Sequence, residues 1–270
     1  LRIEDKWILN KLNKLIKDIT KLIEDYDLGI ALDKIYNFIW NEFCDWYIEI
    51  CKTRIYSENS EERVQVDFVL DYVLRNALKL LHPFMPFVTA EIYSKLVHYD
   101  DVDIMMSNWP EHKEISQFEQ EEETIEKLKD IIVDIRNTRA NMNVHPSKKT
   151  KLVFVTEDYK KAIEESEEFL KKLGFATDIK IQKDKNGIPE NAISILKDGI
   201  ELYIPFEELV DISEEIKRLE TEIARCNKML SNPGFVNKAP EAKVNEEKEK
   251  LAKYEEMLNA SKERLAKLKG

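Results

Sequence analysis

The last 60 residues carry the repeat that most restricts how this chain can fold. Over the first half of this segment, apolar side chains recur at alternating steps of four and three residues: Ile212, Ile216, Leu219, Ile223, Cys226 and Leu230. A seven-residue pattern resumes after an interruption, and the polar Ser261 shares its stripe: Val244, Leu251, Tyr254, Leu258, Leu265 and Leu268. A narrow stripe of this period is the seam of a coiled coil, so both halves are predicted to be helices that pair through it.

The interruption between the two halves predicts that the helices fold back on each other. Residues 231–240 contain two prolines and a glycine, which end a helix and favour a turn. Two helices joined in this way form an antiparallel coiled-coil hairpin. At about 1.5 Å per residue, each helix would be about 27–40 Å long. We therefore expect an arm over residues 211–270, and a two-helix arm has no wide core.

Residues 1–116 are predicted to form an antiparallel helical bundle. Apolar side chains at three- and four-residue spacing predict amphipathic helices there. These helices are expected over residues 5–25, about 27–54, about 61–81 and about 87–97. Pro83 and Pro86 separate the third helix from the fourth, because proline stops or kinks a helix. Four helices with short connections are typical of such a bundle.

Residues 117–210 are predicted to form a small α+β module. The expected elements are helices at about 119–142 and about 158–173, and strands at 151–155, 179–181, 192–196 and 200–204. Lys197-Asp198-Gly199 separates the last two strands, and Asp-Gly is a strong hairpin signal. The whole chain is therefore predicted to be mainly α, with three domains at 1–116, 117–210 and 211–270.

Composition excludes several broad classes of protein. The net charge of −11 argues against indiscriminate nucleic-acid binding, so any RNA contact must use local basic patches. Cys44, Cys51 and Cys226 have no metal-ligand spacing, which favours reduced thiols in the cytosol. No run of roughly 18 apolar residues is present, so no membrane span is predicted. The start has neither a signal-peptide cleavage site nor an initiator Met, so we expect the chain to be cut from a longer protein.

A search for catalytic chemistry finds none in the sequence. There is no Gly-rich phosphate loop, no Walker-type sequence and no nucleophile elbow. His82, His98, His112 and His145 stand apart without ligand spacing, so no metal site is predicted. Carboxylate pairs are expected to be solvated helix faces. We therefore predict no catalytic residue and no cofactor in this chain.

The first helix carries a polar ridge that suits RNA. Trp7, Asn10, Lys14, Lys17 and Lys21 recur at steps of three and four, so they share one side of the helix. This side lies away from the apolar stripe. Lysines can contact phosphates, and an indole can stack on an unpaired base. The alternative is that the lysines are solvated and the indole packs beneath another element.

The arm carries a second basic patch. Residues 225–253 hold seven basic side chains against four acidic ones, a local charge of +3. The seven are Arg225, Lys228, Lys238, Lys243, Lys248, Lys250 and Lys253. A positive tip on a stalk suits contact with a nucleic-acid backbone. The alternative is an ordinary charged coiled coil.

Several of these segments resemble one family. Those of the bundle are Asp5-Lys6-Trp7-Ile8-Leu9, Trp40-Asn41-Glu42-Phe43-Cys44-Asp45-Trp46-Tyr47 and Leu80-Leu81-His82-Pro83-Phe84-Met85-Pro86-Phe87. They resemble the anticodon-binding bundle of bacterial valyl-tRNA synthetases, and partly that of isoleucyl and leucyl relatives. Asn232-Pro233-Gly234-Phe235-Val236 is similar to the turn of the coiled-coil arm in the valine enzymes. This second likeness is more particular to the valine enzyme.

The resemblance implies part of a class I enzyme that uses ATP and Mg to charge valine tRNA. The family's catalytic and editing domains lie upstream and their signature motifs are absent here, so this chain alone is expected to be inactive. In the family the bundle reads the anticodon and the arm contacts the tRNA elbow. This implies anticodon contacts by Lys6, Trp7 and Asn10, and the ridge extends that prediction to Lys14 and Lys17. It implies elbow contacts by Arg225 and Lys250, and the basic patch extends that prediction to Lys228 and Lys248.

The same resemblance implies valine tRNA as the partner, and neither DNA nor a membrane. It also implies a cytoplasmic monomer. Two alternatives remain open at this point. One is the equivalent part of an isoleucyl or leucyl relative, and the other is a helical scaffold that binds protein through its coiled coil.

Overall fold

The computed structural model describes residues 1–96, 103–114, 118–142, 144–145, 147–209, 212–232, 234 and 241–269. The predicted domain boundaries at 116/117 and 210/211 lie outside these residues, as does most of the predicted arm turn, residues 233 and 235–240. The side chains of Ile212, Leu265 and Leu268, which were assigned to the seam, also lie outside. The described part contains the three predicted components, a helical bundle, a small sheet with helices and a C-terminal helical pair.

Among the residues described before the sheet, six α-helices are joined by a π-helical stretch and a short turn. α1 is Ile3–Glu24, α2 Leu28–Asn37, α3 Glu49–Ile55, α4 Ser60–Leu81, α5 Pro86–Tyr93 and α6 Glu119–Asn141, with a 3₁₀ turn at Ile104–Met106. Pro86 is the first residue of α5, where its missing N–H costs no helical hydrogen bond. α5 ends at Tyr93, earlier than predicted, and residue 97 of the predicted helix lies outside the described residues.

The second predicted helix is continuous, but its middle is wound more widely than an α-helix. α2 runs into a π-helical stretch, Phe38–Ile48, which runs into α3. Phe38 and Phe43 are five residues apart and both are buried. A π-helix places residues five apart on the same side, so the wider turn keeps both rings in the core. The amphipathic pattern predicted the helix but not this change of winding.

α6 joins the bundle to the module. It packs along α1 and also contacts the sheet and its helices. Its buried face carries Ile125, Leu128, Ile132 and Ile135, which belong to one hydrophobic core extending from the bundle into the sheet. α6 was predicted as the first element of the module, and the structure gives it a second role as a helix of the bundle.

The module is a four-stranded sheet backed by helices. β1 is Thr150–Val155, α7 Lys160–Glu165, α8 Glu167–Leu173, β2 Ala176–Gln182, β3 Ile193–Lys197 and β4 Ile200–Ile204. The strand order is β2-β1-β4-β3, with β1 parallel to β2 and antiparallel to β4. Gly199 has φ +81° in the β3–β4 turn, which confirms the Asp-Gly hairpin. The single helix predicted at 158–173 is instead two, because the backbone leaves helical values at Ser166.

The C-terminal helices pair as an antiparallel hairpin. A short helix α9, Phe206–Leu209, precedes α10, Ile212–Leu230, and α11, Glu241–Lys269. Leu219, Cys226 and Val244 are buried between the two long helices. Glu220 pairs with Lys262 at 2.9 Å, whereas Cys226 lies 3.4 Å from Glu247. A later residue of α10 thus meets an earlier residue of α11, which confirms the antiparallel prediction.

Candidate nucleic-acid interface

The first half of the polar ridge on α1 lies against α6. Trp7 is 0% exposed and Asn10 is 2% exposed. The indole N–H of Trp7 donates to Oε1 of Glu126 at 3.0 Å, and the side-chain amide of Asn10 donates to Oε2 of Glu122 at 2.6 Å. A base cannot stack on Trp7 while α6 lies over it. The indole packs beneath another element, which is the alternative stated for it in the sequence analysis.

A charged row on α6 explains why the ridge is covered. Glu122, Glu126 and Lys129 recur at steps of four and three, so they face one side. Nζ of Lys11 lies 2.7 Å from Glu126, and Nζ of Lys129 lies 3.0 Å from the same carboxylate and 4.7 Å from the centre of the Trp7 ring. Burial acts to raise the pKa of Glu126, but the Lys11 hydrogen bond and the Lys129 charge hold that pKa below its usual value. Charged and polar side chains recur at the same three- and four-residue steps on α1 and α6, and this match is the sequence signal that could have predicted their contact.

The lysines of the ridge, and Lys6 just before it, differ in their partners. Nζ of Lys6 lies 3.1 Å from Glu121, and Nζ of Lys14 lies 3.0 Å from Glu122. Lys14 and Lys17 are nevertheless exposed. The ridge is therefore covered by α6 at its start and open towards the end of α1. Contact of Lys6, Lys14 or Lys17 with RNA stays a prediction, and so does any role of Trp7 and Asn10 in anticodon reading.

A buried ionic network at the start of α1 was not predicted. Nη1 of Arg54 donates to Asp5 at 2.7 Å and to Glu4 at 2.9 Å, and the Tyr47 hydroxyl donates to Asp5 at 2.8 Å. Burial raises the pKa of Glu4 and of Tyr47. The network ties α1 to the helix that ends in α3, so it positions the ridge. Its members are up to 50 residues apart in sequence, and no local pattern indicates them.

The four predicted arm residues lie together at one level of the hairpin. Arg225 and Lys228 are exposed on α10, and Lys248 and Lys250 are exposed on α11. Because Cys226 contacts Glu247 across the seam, the two cations of α10 lie beside the two cations of α11. Arg225 lies 3.3 Å from Glu222 and Lys250 lies 2.7 Å from Glu246, on their own helices.

The arm cations have open surroundings. Hydrogen bonding to Glu246 raises the pKa of Lys250, so the ammonium stays charged. Arg225 and Lys250 meet acids of their own helix, one helical turn away. Water and salt screen such exposed pairs strongly, so a phosphate can replace the carboxylate at little cost. The arrangement can therefore bind an anionic backbone, and its contact with tRNA stays a prediction.

Other kinds of site were sought across the described residues. No group of three or more His, Cys, Asp or Glu side chains is placed there to hold a metal ion. None of the described helices has the length and apolar character to cross a bilayer. Two open clefts of about 430 and 670 Å³ adjoin the start of α1. Acidic side chains outnumber basic ones in both linings, four to two in the first and four to three in the second, so neither has the excess of positive charge that a phosphate favours.

Two family descriptions match separate parts of the chain. The family described as "Anticodon-binding domain of tRNA ligase" matches residues 5–154. The family described as "Valyl tRNA synthetase tRNA binding arm" matches residues 210–269. The first match covers the bundle, α6 and most of β1, and the second covers the helical hairpin. Residues 155–209, with most of the sheet, lie between them.

Similar proteins are found among bacterial enzymes. The "Valine--tRNA ligase" of Clostridium acetobutylicum is 44% identical over 273 residues, which is 98% of this chain and 31% of that protein. The enzyme of the same name from Clostridium tetani is 44% identical over 99% of this chain and 31% of its own length. The one from Staphylococcus carnosus is 38% identical over 100% of this chain and 32% of its own length. The chain thus spans about a third of the length of the curated relatives it matches.

Proposed function

We propose, on the premise that this chain belongs to the valyl-tRNA synthetase family, that it is the tRNA-recognition part of a valine–tRNA ligase. One observation carries the proposal: the anticodon-binding match at residues 5–154 and the valine-specific arm match at residues 210–269 occur on one chain. The arm match also favours the valine enzyme over an isoleucyl or leucyl relative. In the structure these two parts are a helical bundle and an exposed helical hairpin.

The two parts would hold different ends of one tRNA. We expect the bundle to contact the anticodon loop, with Lys14 and Lys17 providing exposed charge on α1. We expect Arg225, Lys228, Lys248 and Lys250 to contact the backbone at the tRNA elbow, because they are grouped and exposed. Backbone contacts fix position, whereas base contacts carry sequence preference.

The reaction would belong to the rest of the parent protein. The named relatives are ligases of about three times this length, and no reaction centre is visible in this sequence. We expect no aminoacylation by the chain alone, with ATP and Mg bound by other parts of the parent. We expect the parent to act in the cytoplasm, where tRNA is charged, and this chain to be monomeric.

A titration of the chain with valine tRNA and its anticodon variants tests the proposal. We expect binding to valine tRNA whose log affinity falls linearly with log salt concentration, with a slope of roughly −0.7 to −0.9 per phosphate contact. We expect weaker binding to anticodon variants. The matched control is a tRNA for another amino acid, which keeps the elbow and changes the anticodon. Equal affinity for all of these tRNAs, or affinity independent of salt, would contradict the proposal.

A further inference from the structure

Two aromatic rings of the bundle are stacked on each other and open to solvent. The rings of Tyr36 and Trp40 have centres 6.2 Å apart and planes within 3° of parallel. Tyr36 is 59% exposed and Trp40 is 56% exposed. Single exposed aromatic side chains such as Tyr26, Tyr56 and Phe87 are ordinary, whereas contiguous exposed apolar surface often marks a binding site. This pair therefore needs a reason other than core packing.

The helix that carries the pair buries its opposite side. Ala31, Ile35 and Phe38 are buried in the core of the bundle. Tyr36 and Trp40 are four residues apart, so their side chains lie one above the other on the outer side. The core would be complete without them. The stack presents a broad, rigid ring surface at the α2 end of the π-helical stretch.

Two amides lie beside the stacked rings. Asn37 and Asn41 are exposed and follow the aromatic residues in sequence. The Asn41 amide donates to the Asn37 oxygen at 3.1 Å. Among the described residues, the Asn41 oxygen and the Asn37 amino group have no other recorded partner, so one acceptor and one donor are available. Such groups can hydrogen-bond the edge of a base.

The neighbouring helix α1 carries exposed cations. An ion pair joins Lys34 of α2 to Asp18 of α1, and Lys11 of α1 lies 3.9 Å from Glu42. The two helices are thus aligned side by side between these links. The exposed Lys14 and Lys17 lie on α1 between the same links. The rings and the amides thus lie on one helix, and the two exposed lysines lie on its neighbour α1, where the Lys14 ammonium is 3.0 Å from Glu122 of α6.

A second stacked pair of the bundle has different surroundings. The rings of Phe68 and Tyr72 on α4 have centres 6.4 Å apart, and Phe68 is well exposed. Asp67 precedes Phe68, and Asp71, which is paired with Arg75 at 2.6 Å, precedes Tyr72. The Asp67 carboxylate next to the Phe68 ring repels a phosphate backbone. Exposed stacking alone thus does not favour RNA, whereas stacking beside amides and lysines does.

We propose that Tyr36, Asn37, Trp40 and Asn41 form a subsite for an unpaired base of the tRNA anticodon loop. The base stacks on the open face of the Trp40 indole, and the two amides contact its edge. Lys14 and Lys17 hold the neighbouring phosphates. The proposal rests on the proposed function, because it assigns residues to the anticodon contact. It also supplies the stacking surface that Trp7, covered by α6, does not offer.

The test compares Trp40→Ala with Trp40→Phe and with the control Phe68→Ala in the full 270-residue chain. Each changed ring is exposed, so all three variants are expected to fold, and circular dichroism and thermal melting check this. Affinities are measured for a valine tRNA transcript, for its anticodon-loop base variants and for the isolated anticodon stem-loop. Loss of one stacked base gives roughly a five- to hundredfold fall in affinity.

We expect Trp40→Ala to show this loss for valine tRNA and for the stem-loop, and to bind the base variants almost equally. Trp40→Phe should lose less, because a phenyl ring still stacks. Phe68→Ala should bind like the unchanged chain.

If the unchanged chain discriminates anticodon variants and Trp40→Ala does so equally well, the subsite is refuted while the proposed function stands. If the unchanged chain discriminates none of them, the proposed function fails and the subsite with it. Equal losses in Trp40→Ala and Phe68→Ala would also refute the subsite.

Discussion

The polar ridge of α1 and the basic patch of the arm were both predicted to contact RNA, and the structure gives them different surroundings. The ridge is a row at three- and four-residue spacing, whereas the patch is a local excess of basic over acidic side chains beside the seam. In the bundle, α6 covers the start of the ridge and pairs with Trp7, Asn10 and Lys6. In the arm, Arg225 and Lys250 remain exposed beside acids of their own helices.

The number of neighbouring helices explains this difference. A hairpin helix has one partner, so whatever lies off the seam stays in solvent. A bundle helix has several partners, and each of them can cover a further side. Periodicity shows which residues share a side but not how many sides are covered. A basic row therefore indicates a binding surface more reliably on a two-helix arm than in a bundle.

Replacing one side chain in each region with alanine should distinguish the covered surface from the exposed one by the change in unfolding free energy. Trp7→Ala removes a fully buried indole and its hydrogen bond to Glu126, so it is expected to cost about 3–5 kcal/mol of unfolding free energy. Arg225→Ala changes an exposed side chain and should stay within about 0.5 kcal/mol. Denaturant unfolding followed by circular dichroism measures both. An unfolding midpoint of Trp7→Ala equal to that of the unchanged chain would show that α6 does not cover the ridge.

Neutralising the arm should instead change binding and leave folding intact. Replacing Arg225, Lys228, Lys248 and Lys250 together by Gln removes four exposed cations. If each contacts a phosphate, the slope of log affinity against log salt becomes shallower by about 3. Anticodon preference should not change, since backbone contacts carry no sequence information. An unaltered salt slope would show that the arm does not contact the tRNA backbone.

The sequence predicted the element types well because they depend on local patterns. The seam of the arm, the amphipathic stripe of α1 and the Asp-Gly turn at Gly199 each depend on residues close together in the chain. The resemblance then supplied the functional roles. The covered ridge could not be predicted in the same way, because Trp7 and Glu126 are 119 residues apart. The π-helical winding around Phe38 and Phe43 likewise depends on what the rings pack against.

The contact between the ridge and α6 should also weaken in acid. Burial acts to raise the pKa of Glu126, but the Lys11 hydrogen bond and the Lys129 charge leave it below its usual 4.5. The Glu126 carboxylate therefore becomes protonated at a higher pH in the unfolded chain than in the folded chain. The stability from Glu126 is present above about pH 4.5 and is lost as pH falls through the folded-state pKa. Glu126→Gln should be less stable near neutral pH, by up to about 1 kcal/mol, and the difference should shrink in acid.

A matched control for this pH effect lies in the arm. The Lys250 hydrogen bond lowers the pKa of Glu246, and this pair is exposed. Salt screens exposed charges far more than half-buried ones. At high salt, the effect of Glu246→Gln should vanish while that of Glu126→Gln persists. Urea unfolding across a pH series at low and high salt measures both, and equal screening of the two pairs would contradict the covered arrangement.

The smallest expected effect is a change in the salt dependence of tRNA binding, and it shows where the surface covered by α6 ends. Lys14 is held 3.0 Å from Glu122 of α6, whereas Lys17, one turn further along, has no recorded acidic partner among the described residues and is exposed. A phosphate must displace a carboxylate to reach Lys14 but not to reach Lys17. Lys17→Gln should therefore reduce the salt slope by close to one contact, about 0.7–0.9, and Lys14→Gln by less. Glu122→Gln should make the two lysines equivalent. If Lys14→Gln has the larger effect in the unchanged background, the ridge is open to RNA further towards Trp7 than α6 allows in this structure.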